Sequence, residues 1–380
     1  MAPLQGGIPG ASPLTQQYES ALVAERIHKS DELVLWRQKH PSLAGPIYTF
    51  GPNSLDTAPV LSSETVIGVV STGLLWAVEK SSGRLAWSRS FSSIAAVAVL
   101  DDLAYLSVEG RIMAVDPSTG QTRWESSSEL DNDLRGHVRP SVASGRVFWA
   151  NRSGSVTCAD ARTGTTVWRT RVPDGGGIVS SLLATDEMVI GVGNRAGVFC
   201  LGASNGDVRW IRPLSSESIW RPEKALGGVL VTLDDQMSLL RMDDGGLLTK
   251  WSWPGRMSGP CAGGEHIAFA VRCGRERSIV GGLRLTIPTQ CRIVRLVEDG
   301  SIAWEVESPL RSPGITWSEE SGMLFEACGG IALIEPQSGT RKHLISIAGT
   351  QLIRRPAVER GRIYATNADE EIIALQIPGM

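Results

Sequence analysis

The stretch G-R-I-M-A-V-D-P-S-T-G-Q-T-R-W-E, residues 110–125, decides the fold. An apolar run ends at Asp116, and the P-S-T-G sequence of residues 117–120 predicts a tight turn, because proline and glycine supply the φ angles that such turns need. A second strand follows and places Trp124 four residues after Gly120. The same unit of strand, turn and strand recurs along the chain, and such a recurrence is typical of a repeat architecture.

The copies align on a turn glycine and on the tryptophan that follows it. These pairs are Gly83 and Trp87, Gly120 and Trp124, Gly164 and Trp168, Gly206 and Trp210, Gly246 and Trp251 with one extra residue, and Gly300 and Trp304. In a seventh copy His343 stands four residues after Gly339, and an eighth copy, residues 355–380, has neither the turn nor the tryptophan. A period of about 40 residues that is built from strands predicts a β-propeller rather than a helical solenoid.

Each copy contains four short strand signals separated by turns. In one copy they are residues 140–142, 146–150, 156–160 and 166–169. A single four-stranded sheet would expose an apolar face, so the copies must stack on one another. Residues 33–37, which include Trp36, match an outermost strand without a blade of its own. We therefore predict an all-β fold, an eight-bladed β-propeller of four-stranded antiparallel blades, closed by residues 33–40 pairing beside residues 372–376.

The predicted domain organisation is simple. Residues 1–32 form a flexible segment in which residues 15–29 predict a short helix, and residues 33–380 form one propeller with an insertion at 273–291. The net charge of −3 over 380 residues does not favour nucleic acid as a partner. The longest apolar run, residues 94–100, is too short to span a bilayer, so we expect no membrane insertion.

The repeat resembles the pyrroloquinoline-quinone-type (PQQ-like) propeller repeat, A-x-D-x-x-T-G-x-x-x-W, which reads here Ala114, Asp116, Thr119, Gly120 and Trp124. The resemblance extends over residues 58–380. It implies a propeller whose relatives include quinone-dependent dehydrogenases and the propeller lipoprotein of the bacterial outer-membrane assembly machinery, so the fold alone leaves the function open. The structural tryptophans of the repeat are Trp36, Trp87, Trp124, Trp168, Trp210, Trp251 and Trp304.

Two motif matches are interpreted as repeat turns. Residues 191–196 fit the dinucleotide fingerprint G-x-G-x-x-A, and residues 202–206 fit the nucleophile elbow G-x-S-x-G. Both motifs need a helix after the turn, whereas the repeat predicts a strand at each place. Cys158 and Cys200 stand in the register of Ala77 and Ala114, which predicts small buried side chains. The six cysteines form no C-x-x-C pair, so we expect no metal site.

The N-terminal sequence M-A-P-L-Q-G-G-I-P-G-A-S-P has no basic start, no apolar core and no lipid-acceptor cysteine. We therefore expect a cytoplasmic protein whose cysteines remain thiols. Resemblance to the quinone enzymes would imply export and a pair of adjacent cysteines, and the sequence shows neither feature. We expect no cofactor and no catalytic activity.

The sixth copy carries the insertion and is rich in arginine, including Arg275, Arg277 and Arg284. It reads either as a lengthened solvated hairpin or as a binding loop on a rigid repeat frame. A polar loop with Arg135 and His137 is predicted on the same face. Our leading hypothesis is a non-catalytic protein–protein interaction scaffold in a multi-protein assembly, with these five residues binding other proteins. The alternatives are a sensor for a small ligand in the central channel and a PQQ-dependent dehydrogenase.

Overall fold

The chain is an eight-bladed β-propeller of four-stranded antiparallel blades, as the repeat predicts. Its two compact units are Met1–Pro59 with Ile267–Met380, and Val60–His266. The computed structural model describes residues 26–28, 31–41, 58–69, 73–92, 94–108, 111–126, 139–151, 153–173, 182–193, 197–214, 220–232, 236–253, 256–257, 260–263, 266–273, 276–280, 283–287, 290–297, 299–308, 314–327, 330–346, 355–367 and 371–379.

Three short elements precede the first blade along the chain. They are strand β1 (Arg26–His28), a 3-10 helix (Asp31–Leu33) and strand β2 (Val34–Gln38). Strand β1 differs from the helix predicted over residues 15–29, because its backbone pairs with another strand of the unit rather than with its own preceding turn. Residues 15–25 lie outside the described residues.

The unit Val60–His266 contains blades 1 to 5, each an antiparallel sheet in chain order. Blade 1 has β3–β6 (Val60–Leu61, Thr65–Val69, Leu74–Glu79, Leu85–Ser90), and blade 2 has β7–β10 (Ile94–Leu100, Leu103–Val108, Arg111–Val115, Thr122–Glu125). Blade 3 has β11–β14 (Ser141–Ala143, Arg146–Ala150, Ser155–Asp160, Thr166–Arg171), and blade 4 has β15–β18 (Leu183–Ala184, Met188–Gly193, Gly197–Gly202, Val208–Arg212). Blade 5 has β19–β22 (Glu223–Ala225, Gly228–Thr232, Gln236–Arg241, Leu247–Ser252), and β23 (Arg256–Met257) and β24 (Cys261–Gly263) follow it.

The other unit contains most of blade 6 and all of blades 7 and 8. The second, third and fourth strands of blade 6 are β25 (His266–Cys273), β28 (Gln290–Leu296) and β29 (Ile302–Ser308). Strands β26 (Glu276–Val280) and β27 (Leu283–Ile287) lie between β25 and β28 along the chain. Blade 7 has β30–β33 (Gly314–Ser318, Met323–Ala327, Ile331–Ile334, Arg341–Ile345). Blade 8 has β34–β36 (Ala357–Glu359, Arg362–Thr366, Ile372–Gln376).

Strand β2 completes blade 8 as its fourth and outermost strand. It pairs antiparallel with β36, with Trp36 opposite Ala374 and Gln38 opposite Ile372. This pairing confirms the predicted closure by an N-terminal strand. Because β2 and β36 are far apart in sequence, no hairpin turn joins the third and fourth strands of blade 8.

The tryptophan of the repeat has a constant register in most blades. It lies opposite a small residue of the third strand, as Trp87 does opposite Ala77 and Trp168 opposite Cys158. In all eight blades the pairing of the third strand with the fourth shifts register just before this position. Such a bulge kinks the outermost strand, which makes its exposed edge a poorer template for aggregation.

The tryptophan of one blade also contacts the next blade, in an arrangement that we call the tryptophan lock. Its indole Nε1 donates a hydrogen bond to a carbonyl in the turn between the third and fourth strands of that next blade. The distances are 2.8 Å from Trp87 to Pro117, 2.9 Å from Trp124 to Ala161, 2.9 Å from Trp168 to Ala203, 3.0 Å from Trp210 to Met242 and 2.5 Å from Trp304 to Pro336. The glycine of the same turn packs against the indole ring, so each lock joins two successive blades.

Blade 5 departs from the alignment of the repeat made on Gly246 and Trp251. The turn glycine with positive φ is Gly245, at 68°, and it packs against Trp210. Thr249 therefore takes the tryptophan position opposite Leu239, and Trp251 lies two residues further along, opposite Met237. The sequence pattern missed this because two glycines are adjacent and only the φ angle distinguishes them.

Candidate functional site

The acidic residues in the turns between third and fourth strands have structural roles. The Asp116 carboxylate accepts hydrogen bonds from the hydroxyl and backbone N–H of Ser118 and from the N–H of Thr119, and Arg123 Nη2 lies 2.6 Å from its other oxygen. The hydrogen bond from the Ser118 hydroxyl, followed by those from Arg123 and the backbone, holds the pKa of Asp116 well below its usual range. A carboxylate held in this way is a poor general base at neutral pH.

The two cysteines of the tryptophan register are inert. Cys158 and Cys200 are fully buried, at 0% exposure each, as the sequence predicts. Burial raises the pKa of the Cys158 thiol to about 11 and that of Cys200 to about 12. Both therefore remain protonated at neutral pH and act as small apolar residues under Trp168 and Trp210.

The insertion of the sixth copy is built as an extension of a hairpin. Strands β25 and β28 pair along their length, up to Cys273 opposite Gln290, and β26 and β27 form a separate two-stranded sheet. Cys291 is buried and lies opposite Arg272, so it stands one residue away from the position opposite Cys273. The backbone of the insertion is thus a lengthened hairpin.

The structure locates only part of the predicted partner-binding set. Arg277 lies in β26 opposite Thr286, and Arg284 lies in β27 opposite Ile279, so both belong to the β26–β27 hairpin. Arg275, Arg135 and His137 lie outside the described residues. The two located arginines are thus held on adjacent strands of one small sheet.

A buried ion pair within blade 7, hydrogen-bonded to the last strand of blade 6, was not singled out in the sequence. Arg341 Nε donates to the Glu326 carboxylate at 3.1 Å, and its Nη2 donates to the Glu307 carbonyl at 2.6 Å. The Ser308 hydroxyl donates to the other carboxylate oxygen at 2.5 Å. Glu326 is 0% exposed and Arg341 is 8% exposed. The signal in the sequence is a single acid within the apolar second strand M-L-F-E-A of blade 7.

Within the described ranges, no group of three or more His, Cys, Asp and Glu side chains is arranged to hold a metal ion. In the same part of the chain, no helix has the length and apolar character to cross a membrane.

The fold and its repeated locks define the class of protein, an eight-bladed propeller of the PQQ-like type. Within that class the chain belongs to the family whose model is described as outer membrane protein assembly factor BamB, which matches residues 108–195 and 152–378. The two matches together span more than half of the chain.

Curated relatives found by sequence similarity agree with this assignment. The outer membrane protein assembly factor BamB of Yersinia pestis is 27% identical over 270 residues, which are 65% of this chain and 65% of that protein. BamB of Vibrio cholerae is 31% identical over 115 residues, which are 30% of this chain and 29% of that protein. The chain thus spans less than two thirds of the length of the curated relatives it matches.

Two solved structures share the fold. BamB from Moraxella catarrhalis superposes with a TM-score of 0.61 at 16% identity, covering 86% of this chain and 96% of that one. The quinohemoprotein alcohol dehydrogenase from Comamonas testosteroni superposes with a TM-score of 0.63 at 14% identity, covering 86% and 75%. At these identities the likeness is one of fold.

The expectation of a cytoplasmic protein is wrong. The relatives that share the repeat are named as outer membrane protein assembly factors. The expectation was based on the first thirteen residues, which carry none of the repeat by which the family is defined. A reducing compartment therefore no longer explains why the cysteines would remain thiols. For Cys158 and Cys200 the reason is burial under a tryptophan.

Proposed function

We propose that the chain is a non-catalytic scaffold that holds partner proteins during the assembly of outer membrane proteins. Membership of the BamB family is the observation that carries this proposal. The tryptophan locks supply a rigid frame, because each joins two blades by a hydrogen bond and a ring contact. A rigid frame presents its loops in fixed positions, and this lowers the entropic cost of binding.

The partner-binding surface that we propose is centred on the blade 6 hairpin. Arg277 and Arg284 lie on its two strands, and Arg275 precedes the first strand in the sequence. Arginine binds carboxylates through a planar fork and is enriched among residues that dominate interface energies. We include Arg135 and His137 in the same surface, since the loop that contains them is predicted to open on the same face.

The experiment replaces Arg275, Arg277 and Arg284 by glutamate in the tagged full chain. We expect co-purification of outer-membrane assembly proteins from the native host to be lost while the melting temperature is unchanged, because β26 and β27 form a sheet separate from the sheets of the blades. The matched control replaces Arg84, Arg162 and Arg209 by glutamate; these are exposed arginines that lie in, or just after, the turns between third and fourth strands. Partner recovery equal to that of the control would exclude the hairpin as the binding surface.

The dehydrogenase alternative has less support. The superposition on quinohemoprotein alcohol dehydrogenases is a likeness of fold, and the adjacent cysteine pair that the resemblance to quinone enzymes implies is absent from this sequence. The residues present therefore do not fit the quinone cofactor in that respect. Incubation of the purified protein with the quinone and calcium tests this point, since saturable dye reduction would favour the enzyme over the scaffold.

A further inference from the structure

The interface between blades 7 and 8 lacks the two parts of a tryptophan lock. In blade 7 His343 takes the tryptophan position, opposite Leu333. In blade 8 the third strand β36 pairs with the N-terminal strand β2, so no turn joins the two strands and presents a glycine. Blade 7 therefore has histidine in place of tryptophan at the interface where the next blade has no turn to accept the indole hydrogen bond.

A different connection crosses this interface at the outermost strands. Strand β1 pairs in parallel with β33 of blade 7, with Arg26 opposite His343, Ile27 opposite Leu344 and His28 opposite Ile345. Strand β2 pairs with β36 of blade 8. Residues 29–33 join the two strands, so residues 26–38, which we call the strap, link blade 7 to blade 8 through main-chain pairing.

The edge that receives β1 differs from the same edge of a typical blade. Its residues are the apolar Leu344 and Ile345, which are 2% and 0% exposed with β1 in place, whereas the equivalent residues of blade 3 are the polar Arg169 and Thr170. Among the described residues, an added strand pairs with the outer side of the fourth strand in blade 7 and in no other blade. Apolar residues and paired main-chain groups make this edge suited to an extended segment.

The occupant is held by a short ladder. Strand β1 contributes three residues in parallel pairing, which is less stable per residue than antiparallel pairing. We propose that β1 is an exchangeable occupant and that the edge of blade 7 at residues 343–345 is a docking site, where an extended segment of a partner protein adds as a parallel strand in its place. The partner segment has no proline at the three paired positions and has an aliphatic residue opposite Leu344, where Ile27 stands here. This inference builds on the proposed scaffold function.

The test frees the edge in the full chain. Arg26, Ile27 and His28 are all replaced by proline, which removes every N–H of the ladder, and in the control all three are replaced by alanine, which keeps them. The probe is a fluorescent peptide of residues 22–32, and its binding is followed by anisotropy. We expect the proline variant to bind the peptide at least roughly tenfold more tightly than either the wild type or the alanine control, because the edge is no longer occupied in cis. A peptide with proline at the same three positions should not bind.

Two outcomes would overturn the proposal. One is a natively folded proline variant that fails to bind the peptide, and the other is equal binding by all three proteins. If the proline variant does not fold, hydrogen exchange in the wild type provides the test. The amides that bond across the β1–β33 ladder should exchange by local opening, and their exchange only through global unfolding would contradict an exchangeable strand. None of these measurements uses a native partner, so their failure is distinct from a failure of the scaffold function.

Discussion

The indole of Trp168 in blade 3 packs against Gly206 of blade 4 in a contact that has no room for a methyl group. A Cβ atom on Gly206 would lie 2.6 Å from the Trp168 ring, and the φ angle of Gly206 is 75°. Both the close approach and the left-handed backbone require glycine. The same relationship recurs between Gly120 and Trp87, at 2.6 Å. At each tryptophan lock the glycine is therefore determined by the tryptophan of the preceding blade.

Replacement of Gly206 by alanine tests this contact. We expect Gly206→Ala to lower the free energy of unfolding by about 2 kcal/mol more than Gly145→Ala, because only the first change also forces a methyl group into a packed ring. Gly145 is the matched control, since its φ is 68° and no atom lies within 4 Å of its Cβ position. Urea denaturation measures both, and equal destabilisation would show that backbone strain alone selects the glycine.

Exchange of the residues at the tryptophan position tests whether a lock needs its receiving turn. Trp168→His should lower the free energy of unfolding by about 3 kcal/mol, since it removes a buried ring and the donor to the Ala203 carbonyl. The reverse change, His343→Trp, should not raise the free energy of unfolding, because blade 8 has no turn between its third and fourth strands to receive the indole. Thermal and urea unfolding compare the two variants. A stabilised His343→Trp variant would contradict the account of the interface between blades 7 and 8.

The buried pair of Glu326 and Arg341 should be costly to break and less costly to remove. Glu326→Leu and Arg341→Met are each expected to lower the free energy of unfolding by about 3–5 kcal/mol, because each leaves a buried charge without its partner. The double variant Glu326→Leu with Arg341→Met should recover much of that loss. The control is the pair of Arg292 and Glu305, 2.7 Å apart and with 43% and 35% of their side chains exposed, whose removal should have a far smaller effect. If the double variant loses as much free energy of unfolding as the two single variants together, Glu326 and Arg341 are not energetically coupled.

The turn carboxylate of Asp116 should make stability depend on pH. Its folded-state pKa is depressed by Ser118 and Arg123, so its contribution is complete above the usual aspartate pKa and is lost as the pH falls through the folded pKa. Asp116→Asn should therefore be less stable than the wild type at pH 7, and the difference should shrink progressively below about pH 4. Unfolding measured between pH 7 and pH 2 checks this sign. A difference that stays constant over the range would exclude the carboxylate charge as its cause.

The candidate site was less predictable than the fold. The composition of the blade 6 insertion indicated a hairpin rich in arginine, and the backbone of β26 and β27 forms that hairpin. The ion pair of Glu326 and Arg341 was missed because its members are 15 residues apart and meet only when strands β31 and β33 share a sheet. The N-terminal strand β1 was missed because its three residues have no pattern of their own and depend on the edge of β33.

The sequence by itself determined the features that are encoded within one copy of the repeat. Turn residues such as Asp116 and Gly120, and the tryptophan four residues later, act over a few positions, so they specified the hairpins, the number of blades and the closing strand. Only the tertiary structure decided the features that depend on a neighbouring blade. These are the choice of Gly245 over Gly246, the position of Thr249 in place of Trp251, and the strap from blade 7 to blade 8. The physical reason is range: a turn is selected by local φ angles, whereas a lock or an added strand is selected by a partner distant in sequence.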